Sequence, residues 1–247
     1  MDLIIELVRR RAEPSALRGK MLGAACARAN TVLNDGTYNL VEVSIAPLYP
    51  RRPLCTRDTT WDFLSTQTFR DTRFFPLDTL RRVEDGTASL KRGEQYGQLN
   101  TFGVVLARKQ MERRKEGELT SLRVGDPLHL ILKVLVCAER FYRLVSYRGN
   151  VEISLTLRNI RGSRMMFIPN VRFWELDEDD YRCYEDEVLG THLVASENLR
   201  GSLVATAQAL ISQICWPFWQ SPSNFPEETV QKYVEAIVKE LGLDVID

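Results

Sequence analysis

Residues 126–162, DPLHLILKVLVCAERFYRLVSYRGNVEISLTLRNIRG, decide the fold, because they read as a long helix, a tight turn and a strand. Asp126 suits an N-cap, and Pro127 suits the first helical position, where its missing N–H costs nothing. One apolar stripe recurs at helical spacing: Leu128, Ile131, Leu132, Leu135, Ala138, Tyr142 and Val145. Five further apolar residues widen this stripe: Leu130, Val134, Val136, Phe141 and Leu144. A helix that is apolar around most of its circumference is covered on several sides, so we expect this helix to be central.

The strand that follows the helix is predicted to bury one face. Arg148-Gly149-Asn150 turns the chain, and the apolar residues then alternate with polar ones: Val151, Ile153, Leu155 and Leu157 against Glu152, Ser154, Thr156 and Arg158. A period of two is typical of a strand with one apolar and one polar face.

The rest of the chain supplies further strands and helices. A hairpin is predicted around Asp85-Gly86, and other strands are predicted at residues 41–45, 101–107, 165–173 and 187–194. Residues 111–118 are predicted to be a charged, solvated stretch, and two amphipathic helices are predicted between residues 203 and 242. This order predicts an α+β fold with a mainly antiparallel sheet packed on the long central helix.

We expect two structural parts, an N-terminal helical arm at residues 1–34 and an α+β domain at residues 35–247. Within the arm, Pro14 and Ser15 predict a break between two short helices. The arm carries an apolar stripe at Leu3, Ile4, Leu7 and Val8. Short isolated helices are marginally stable in water, so we expect this stripe to bind a protein partner or a second copy of the chain. Trp216 and Trp219, between the last two helices, are predicted to assist that interface.

Composition is typical of a soluble globular protein. The 247 residues are 44% hydrophobic and 27% charged, and the formal net charge is +0. Zero net charge argues against a strongly electrostatic nucleic-acid or membrane binder. The five cysteines are far apart and form no CxxC pair, which favours a reducing, cytoplasmic setting over a disulfide framework.

Recognisable catalytic motifs are scarce. Gly19-Lys20 lacks the first glycine and the Ser/Thr of a phosphate-binding loop, and no GxSxG nucleophile elbow is present. His129 and His192, the two histidines, have no cysteine or histidine neighbour at zinc spacing. The expectation is therefore a protein that is not an enzyme and has no cofactor.

Two charged segments keep alternatives open. The acidic residues Asp177, Asp179, Asp180 and Glu185 are candidate metal ligands of a metal-dependent nuclease or phosphotransferase, against the interpretation of a solvated loop. A basic run offers candidate phosphate contacts, although glutamates interleave it and no aromatic platform accompanies it: Arg108, Lys109, Arg113, Arg114 and Lys115.

Several elements stand in an order that a known family shares. They are Val43-Ser44-Ile45-Ala46-Pro47-Leu48-Tyr49-Pro50, the hairpin of residues 82–91, the strand of residues 101–107, and Leu157-Arg158-Asn159-Ile160-Arg161-Gly162. Over roughly residues 40–170 this order resembles the region downstream of the Schlafen/Alba-type DNA-binding domain in some bacterial ATP-binding or helix-turn-helix proteins.

The resemblance implies a regulatory or accessory module in a transcriptional or defence setting. Only the helical arm precedes residue 38, so we expect either a fragment that begins after the DNA-binding domain or a stand-alone relative. DNA binding, nucleotide binding and functional residues therefore do not carry over from that family.

Overall fold

The computed structural model describes residues 2–33, 38–66, 68–69, 72–73, 79–91, 93–111, 113–116, 119–166, 182–218 and 227–243. Within these ranges, the side chains of residues 2–13, 68–69, 72–73, 113–116, 119, 166 and 229 are outside the description. The α-helices are α1 (Asp2–Val32), α2 (Arg57–Thr66), α3 (Gly125–Leu144), α4 (Leu203–Cys215) and α5 (Glu227–Glu240). None of the helices in the described ranges is long and apolar enough to cross a membrane.

The strands fall before and after α3. Those before it are β1 (Leu40–Pro47), β2 (Thr68–Phe69), β3 (Thr72–Arg73), β4 (Thr79–Val83), β5 (Gly86–Lys91), β6 (Gln95–Asn100), β7 (Val105–Gln110), β8 (Arg113–Glu116) and β9 (Leu119–Arg123). Those after it are β10 (Asn150–Arg158), β11 (Ser163–Met166) and β12 (Glu187–Ala195).

A seven-stranded sheet in the order β12-β10-β1-β7-β6-β5-β4 is the main scaffold. Every neighbouring pair in it is antiparallel. A three-stranded sheet, β11-β9-β8, and the β2-β3 pair stand beside it. The structure confirms the predicted α+β class and the mainly antiparallel sheet.

One face of the main sheet carries the large apolar core. Val43 and Ile45 of β1 are fully buried, and they belong to the same apolar cluster as α3, α4 and the buried positions of α5. Phe141 of α3 packs edge to face against Phe63 of α2, with the ring centroids 5.4 Å apart. The buried hydroxyl of Tyr142 donates a hydrogen bond of 2.8 Å to the Gly103 carbonyl, so this polar group is satisfied inside the core.

Two local predictions about a helix start and a helix break need correction. α3 begins at Gly125 with Val124 at the N-cap and no side-chain cap, so Asp126 is not the cap; its carboxylate lies 3.1 Å from the Lys109 ammonium. α1 runs unbroken through Pro14. A proline inside a helix costs about 3 kcal/mol, but here Pro14 is buried, and tertiary packing of the following turns outweighs the local preference.

Strand boundaries also shift. Residues 113–116, predicted to be solvated, form β8, which pairs with β9. The strand predicted at residues 101–107 begins only at Val105, because the Asn100 side-chain oxygen accepts the N–H groups of Phe102 and Val104 and so holds a turn there. Residues 163–166 form β11, and residues 167–173 of the predicted strand lie outside the described ranges.

Candidate functional site

The face of the main sheet opposite α3 is covered by the second half of α1. The buried apolar residues here are few, and two of them are alanines: Met21, Ala25 and Ala29 in α1, and Leu33 directly after it. The last three pack with Ala88, Tyr96 and Leu106 of the sheet, and Met21 packs with Ala46 and Val104. Small side chains let a helix approach a sheet closely but remove little apolar surface from water. Other interactions must therefore help to hold α1.

The centre of this contact is a buried ion pair. Glu42 of β1 and Arg108 of β7 are direct cross-strand partners, and the Arg108 side chain is 0% exposed. The Arg108 Nε donates a 2.7 Å hydrogen bond to Glu42 Oε2, and Nη2 of the same guanidinium also contacts that oxygen. Arg158 of β10 adds a second cation, 3.9 Å from Glu42 Oε1.

α1 binds both members of this ion pair. The Arg108 guanidinium donates a hydrogen bond to the side-chain oxygen of Asn30. The Cys26 thiol lies 3.7 and 3.8 Å from the two carboxylate oxygens of Glu42. Each helical side chain thus recognises a different partner within one charged pair, which fixes both the position and the rotation of the helix.

A second charged cluster lies at the turn between β4 and β5. Arg28 of α1 donates hydrogen bonds to Asp85 Oδ1 at 2.8 Å and to Gln98 Oε1 at 3.1 Å. The Gln98 amide in turn donates to Asp85 at 3.2 Å, and the Tyr96 hydroxyl donates to Gln98 at 2.6 Å. Asp85 and Gln98, which are hydrogen-bonded to each other, therefore both accept hydrogen bonds from Arg28.

These contacts form one continuous feature, which we call the polar seam. Its helical residues are Cys26, Arg28 and Asn30, and its sheet residues are Glu42, Asp85, Tyr96, Gln98 and Arg108. Nearer the start of α1, Arg18 extends the same type of interaction through an ion pair of 3.1 Å with Glu152 of β10. The contacts therefore follow α1 across β10, β1, β7 and β6.

Two ionisable groups of the polar seam have raised pKa values. Burial, followed by the nearby Glu42 carboxylate, raises the pKa of the Cys26 thiol to about 11. Burial also raises the pKa of Tyr96 to about 12. Both groups stay neutral at physiological pH, so Cys26 lacks the thiolate character of a nucleophilic cysteine. The seam can orient a helix through hydrogen bonds and ion pairs.

The structure separates the predicted phosphate-binding residues. Arg108 is buried in the seam, whereas Lys109, next along β7, lies on the opposite face of the sheet and contacts Asp126. Arg113, Arg114 and Lys115 lie in β8, and their side chains are outside the described atoms. Arg108 was therefore a wrong choice, because a fully buried and paired guanidinium cannot contact a phosphate.

The predicted metal ligands are mostly outside the described ranges. This applies to Asp177, Asp179 and Asp180, while Glu185 is described and exposed. Among the described residues, no group of three or more His, Cys, Asp or Glu side chains could hold a metal ion.

The predicted interface residues have different outcomes. Leu3, Ile4, Leu7 and Val8 lie in the first half of α1, where the helix is described but these side chains are not. Trp216 begins a short 3-10 helix after α4 and is 48% exposed. Trp219 lies outside the described residues.

Sequence reasoning missed the sheet side of the seam. Glu42 is not among the predicted site residues, because alternation alone cannot distinguish water from a polar helix as the covering layer. The useful signal was an acidic residue in one strand and a basic residue in another, together with a helix that has alanines at positions 25 and 29. Comparison with known proteins does not add to these residues, since no family model, curated protein or solved structure matches the chain.

Proposed function

We propose that the protein is a non-catalytic interaction module that presents α1 to a protein partner or to a second copy. The observation that carries this proposal is the polar seam, which anchors the second half of a single helix of 31 residues. Among the described side chains, the ion pair nearest the start of the helix is that of Arg18, about 24 Å from Asp2 at 1.5 Å per residue. An anchored helix with such an extension is suited to presenting a binding surface.

The chemistry of the seam supports a fixed presentation. A buried ion pair adds little net stability compared with an apolar contact, but it disfavours every helix position that leaves a charge unpaired. The contacts of Glu42 and Arg108 are compatible with only one arrangement of Cys26 and Asn30. The contacts of Asp85 and Gln98 are compatible with only one position of Arg28. Rotation or sliding of α1 would break both clusters together.

The apolar stripe Leu3, Ile4, Leu7 and Val8 would supply the partner contact at the other end of the helix. These residues recur at the three- and four-residue intervals of one helical face. The biological setting that we propose is cytoplasmic regulation or defence alongside a bacterial DNA-binding regulator. Support for that setting is the resemblance of residues 40–170 to the region downstream of the Schlafen/Alba-type domain.

Native mass spectrometry of the full chain tests the proposal. Wild type would be compared with Leu3→Glu/Leu7→Glu and with Lys20→Glu, a control at an exposed position of the same helix. We expect the wild type and the control to form assemblies through α1 that the double variant loses, because buried carboxylates oppose association. Short duplex DNA, added in a parallel series, should form no complex.

Assemblies that are the same in the double variant and the wild type would contradict a role for α1 in self-association. Stoichiometric binding of the duplex would instead support a nucleic-acid partner. Circular dichroism of each variant would show whether α1 remains helical, so that unfolding is not mistaken for loss of a contact.

A further inference from the structure

β12 forms one edge of the main sheet and carries an unusual pair of side chains. Leu189 and Leu193 are each 58% exposed, and they lie on the sheet face that α1 occupies further along. Edge strands commonly avoid unwanted pairing by means of charged residues, prolines or bulges. The centre of β12 has none of these between its two exposed leucines.

A side chain from α4 occupies the middle of this edge. The Thr191 N–H donates a 2.9 Å hydrogen bond to Gln213 Oε1, and Gln213 Nε2 donates a 3.1 Å hydrogen bond to the Thr191 carbonyl. The Gln213 amide therefore takes the place of a peptide group from a neighbouring strand. Gly190 permits this approach, since an added Cβ would lie 3.2 Å from Gln213 Cβ and 3.3 Å from the Leu210 carbonyl oxygen.

The bonds of Thr191 identify which backbone groups face outward. In an antiparallel pair the hydrogen-bonding direction alternates from residue to residue. Because the backbone N–H and C=O of Thr191 point away from β10, those of Leu189 and Leu193 point away as well, whereas Gly190 and His192 are in the phase that bonds to β10. Among the described residues, none bonds the outward N–H and C=O groups of Leu189 or Leu193.

We propose that the β12 edge pairs with β12 of a second copy, antiparallel about a two-fold axis at Thr191, and that Gln213 is the latch displaced by pairing. In this register Thr191 faces its own equivalent, and Leu189 of each copy faces Leu193 of the other. All three positions carry outward backbone groups, so the hydrogen-bonding phase is correct along the paired segment. Such self-complementarity is what a two-fold interface requires and favours a second copy over an unrelated strand.

Charge also agrees with this register. Glu187 would face Ala195 of the second copy, so no like charges are directly opposed, and Arg158 of the same chain lies 3.5 Å from its carboxylate. The two leucine pairs would bury apolar side chains that are exposed in the single chain. The Gln213 latch satisfies the outward backbone groups of Thr191 while the chain is alone and competes with pairing.

Disulfide trapping of the full chain tests the register directly. Directly opposed residues of a hydrogen-bonded antiparallel pair have Cα atoms about 5.5 Å apart, which is within the range that a disulfide spans. We expect Thr191→Cys to form a cross-linked dimer under mild oxidation. Leu144→Cys is the matched control, because Leu144 has the same 58% exposure and belongs to α3 instead of β12.

Sedimentation velocity over a concentration series supplies a second measurement. Leu189→Lys/Leu193→Lys should weaken dimerisation at least about tenfold, because opposed like charges destabilise cross-strand pairs, whereas Leu144→Lys should leave it unchanged. Gln213→Ala should strengthen dimerisation several-fold by removing the competing latch. Thr191→Cys that cross-links no more than the Leu144→Cys control, or a double lysine variant that dimerises as wild type does, would overturn the proposal. Dimers that remain in Leu3→Glu/Leu7→Glu and are lost in Leu189→Lys/Leu193→Lys would assign self-association to this edge and not to α1.

Discussion

The face of the main sheet under α3 and the face under α1 belong to the same strands, yet different interactions cover them. On the α3 face, Val43 and Ile45 of β1 join a large cluster of buried apolar residues. On the α1 face, Glu42 of the same strand meets Arg108, Cys26 and Arg158. One strand thus contributes alternate residues to an apolar core and to an ion-paired contact.

This difference separates stability from orientation. Apolar burial is non-directional and contributes about 25 cal/mol per Å² removed from water, so the α3 face is expected to supply most of the folding free energy. A typical hydrogen bond contributes only about 1 kcal/mol net, but its geometry is specific. The α1 face is therefore expected to determine where the helix lies and to respond to changes in charge.

The largest effect is expected on the α3 face. Phe141→Ala removes a fully buried ring that packs on Phe63, and it should lower the free energy of unfolding by about 4 kcal/mol. Urea denaturation measures this change. Leu144→Ala, one turn later in the same helix and exposed, should cost less than about 0.5 kcal/mol. Equal costs for the two variants would show that the apolar core is not where stability resides.

The second-largest effect is expected from a substitution at the centre of the polar seam. Glu42→Ala leaves the buried Arg108 guanidinium without its carboxylate, which should cost about 3 kcal/mol. The double variant Glu42→Leu/Arg108→Met should recover most of that loss, because an apolar pair leaves no charge uncompensated. Urea unfolding of the wild type, Glu42→Ala and the double variant measures both values. A double variant as unstable as Glu42→Ala would contradict the assignment of the cost to an unpaired charge.

The two faces also differ in how well the sequence predicts them. On the α3 face, the alternation from Val151 to Leu157 and the helical spacing from Leu128 to Tyr142 suffice, because apolar residues at a fixed period need an apolar cover. The hairpin predicted around Asp85-Gly86 forms, but Val83 lies opposite Gly86 in the register, so the two turn residues are Glu84 and Asp85. Local patterns thus specify the elements whose partners are chemically non-specific.

The seam could not be predicted, because its contacts join residues far apart in the chain. Asn30 and Arg108 are separated by 78 positions, and Arg28 and Asp85 by 57. A polar strand face looks the same in the sequence whether water or a polar helix covers it. The predicted helix break at Pro14 is wrong for a related reason, since the local cost of proline does not include the packing that keeps α1 continuous.

A smaller change should loosen α1 without affecting the core. Asp85→Ala removes the carboxylate that accepts from Arg28 and Gln98, which should cost about 1.5 kcal/mol as the loss of a charged hydrogen bond. Hydrogen exchange should accelerate in residues 20–32 of α1 and stay unchanged in α3. Asp58→Ala is the matched control, because Asp58 forms an exposed ion pair with Arg82. Faster exchange in both helices would mean that the two faces do not respond separately.

The smallest effect concerns pH and compares thiols on the two faces. Burial raises the pKa of Cys26 from its ordinary value of 9.0 to about 11, with Glu42 as the second cause. Burial alone is the leading cause for Cys137 within α3, whose pKa is also raised. In each case the folded state keeps its proton over a pH range in which the unfolded thiol has lost it.

The sign of the pH effect follows from proton binding. Between pH 9 and about 11 the folded chain binds more protons at Cys26 than the unfolded chain does. The contribution of this thiol to stability is therefore complete below pH 9 and is lost as the pH rises towards 11. Cys26→Ala should remove that part of the alkaline loss, and Glu42→Gln should narrow the pH window by removing the charge that opposes thiolate formation. Urea unfolding below pH 9 and near pH 11 would measure both changes. Cys26→Ala could instead lose as much stability at alkaline pH as the wild type does. The loss would then belong to groups such as Cys137 on the α3 face, and the Glu42 carboxylate would not set the titration of the Cys26 thiol.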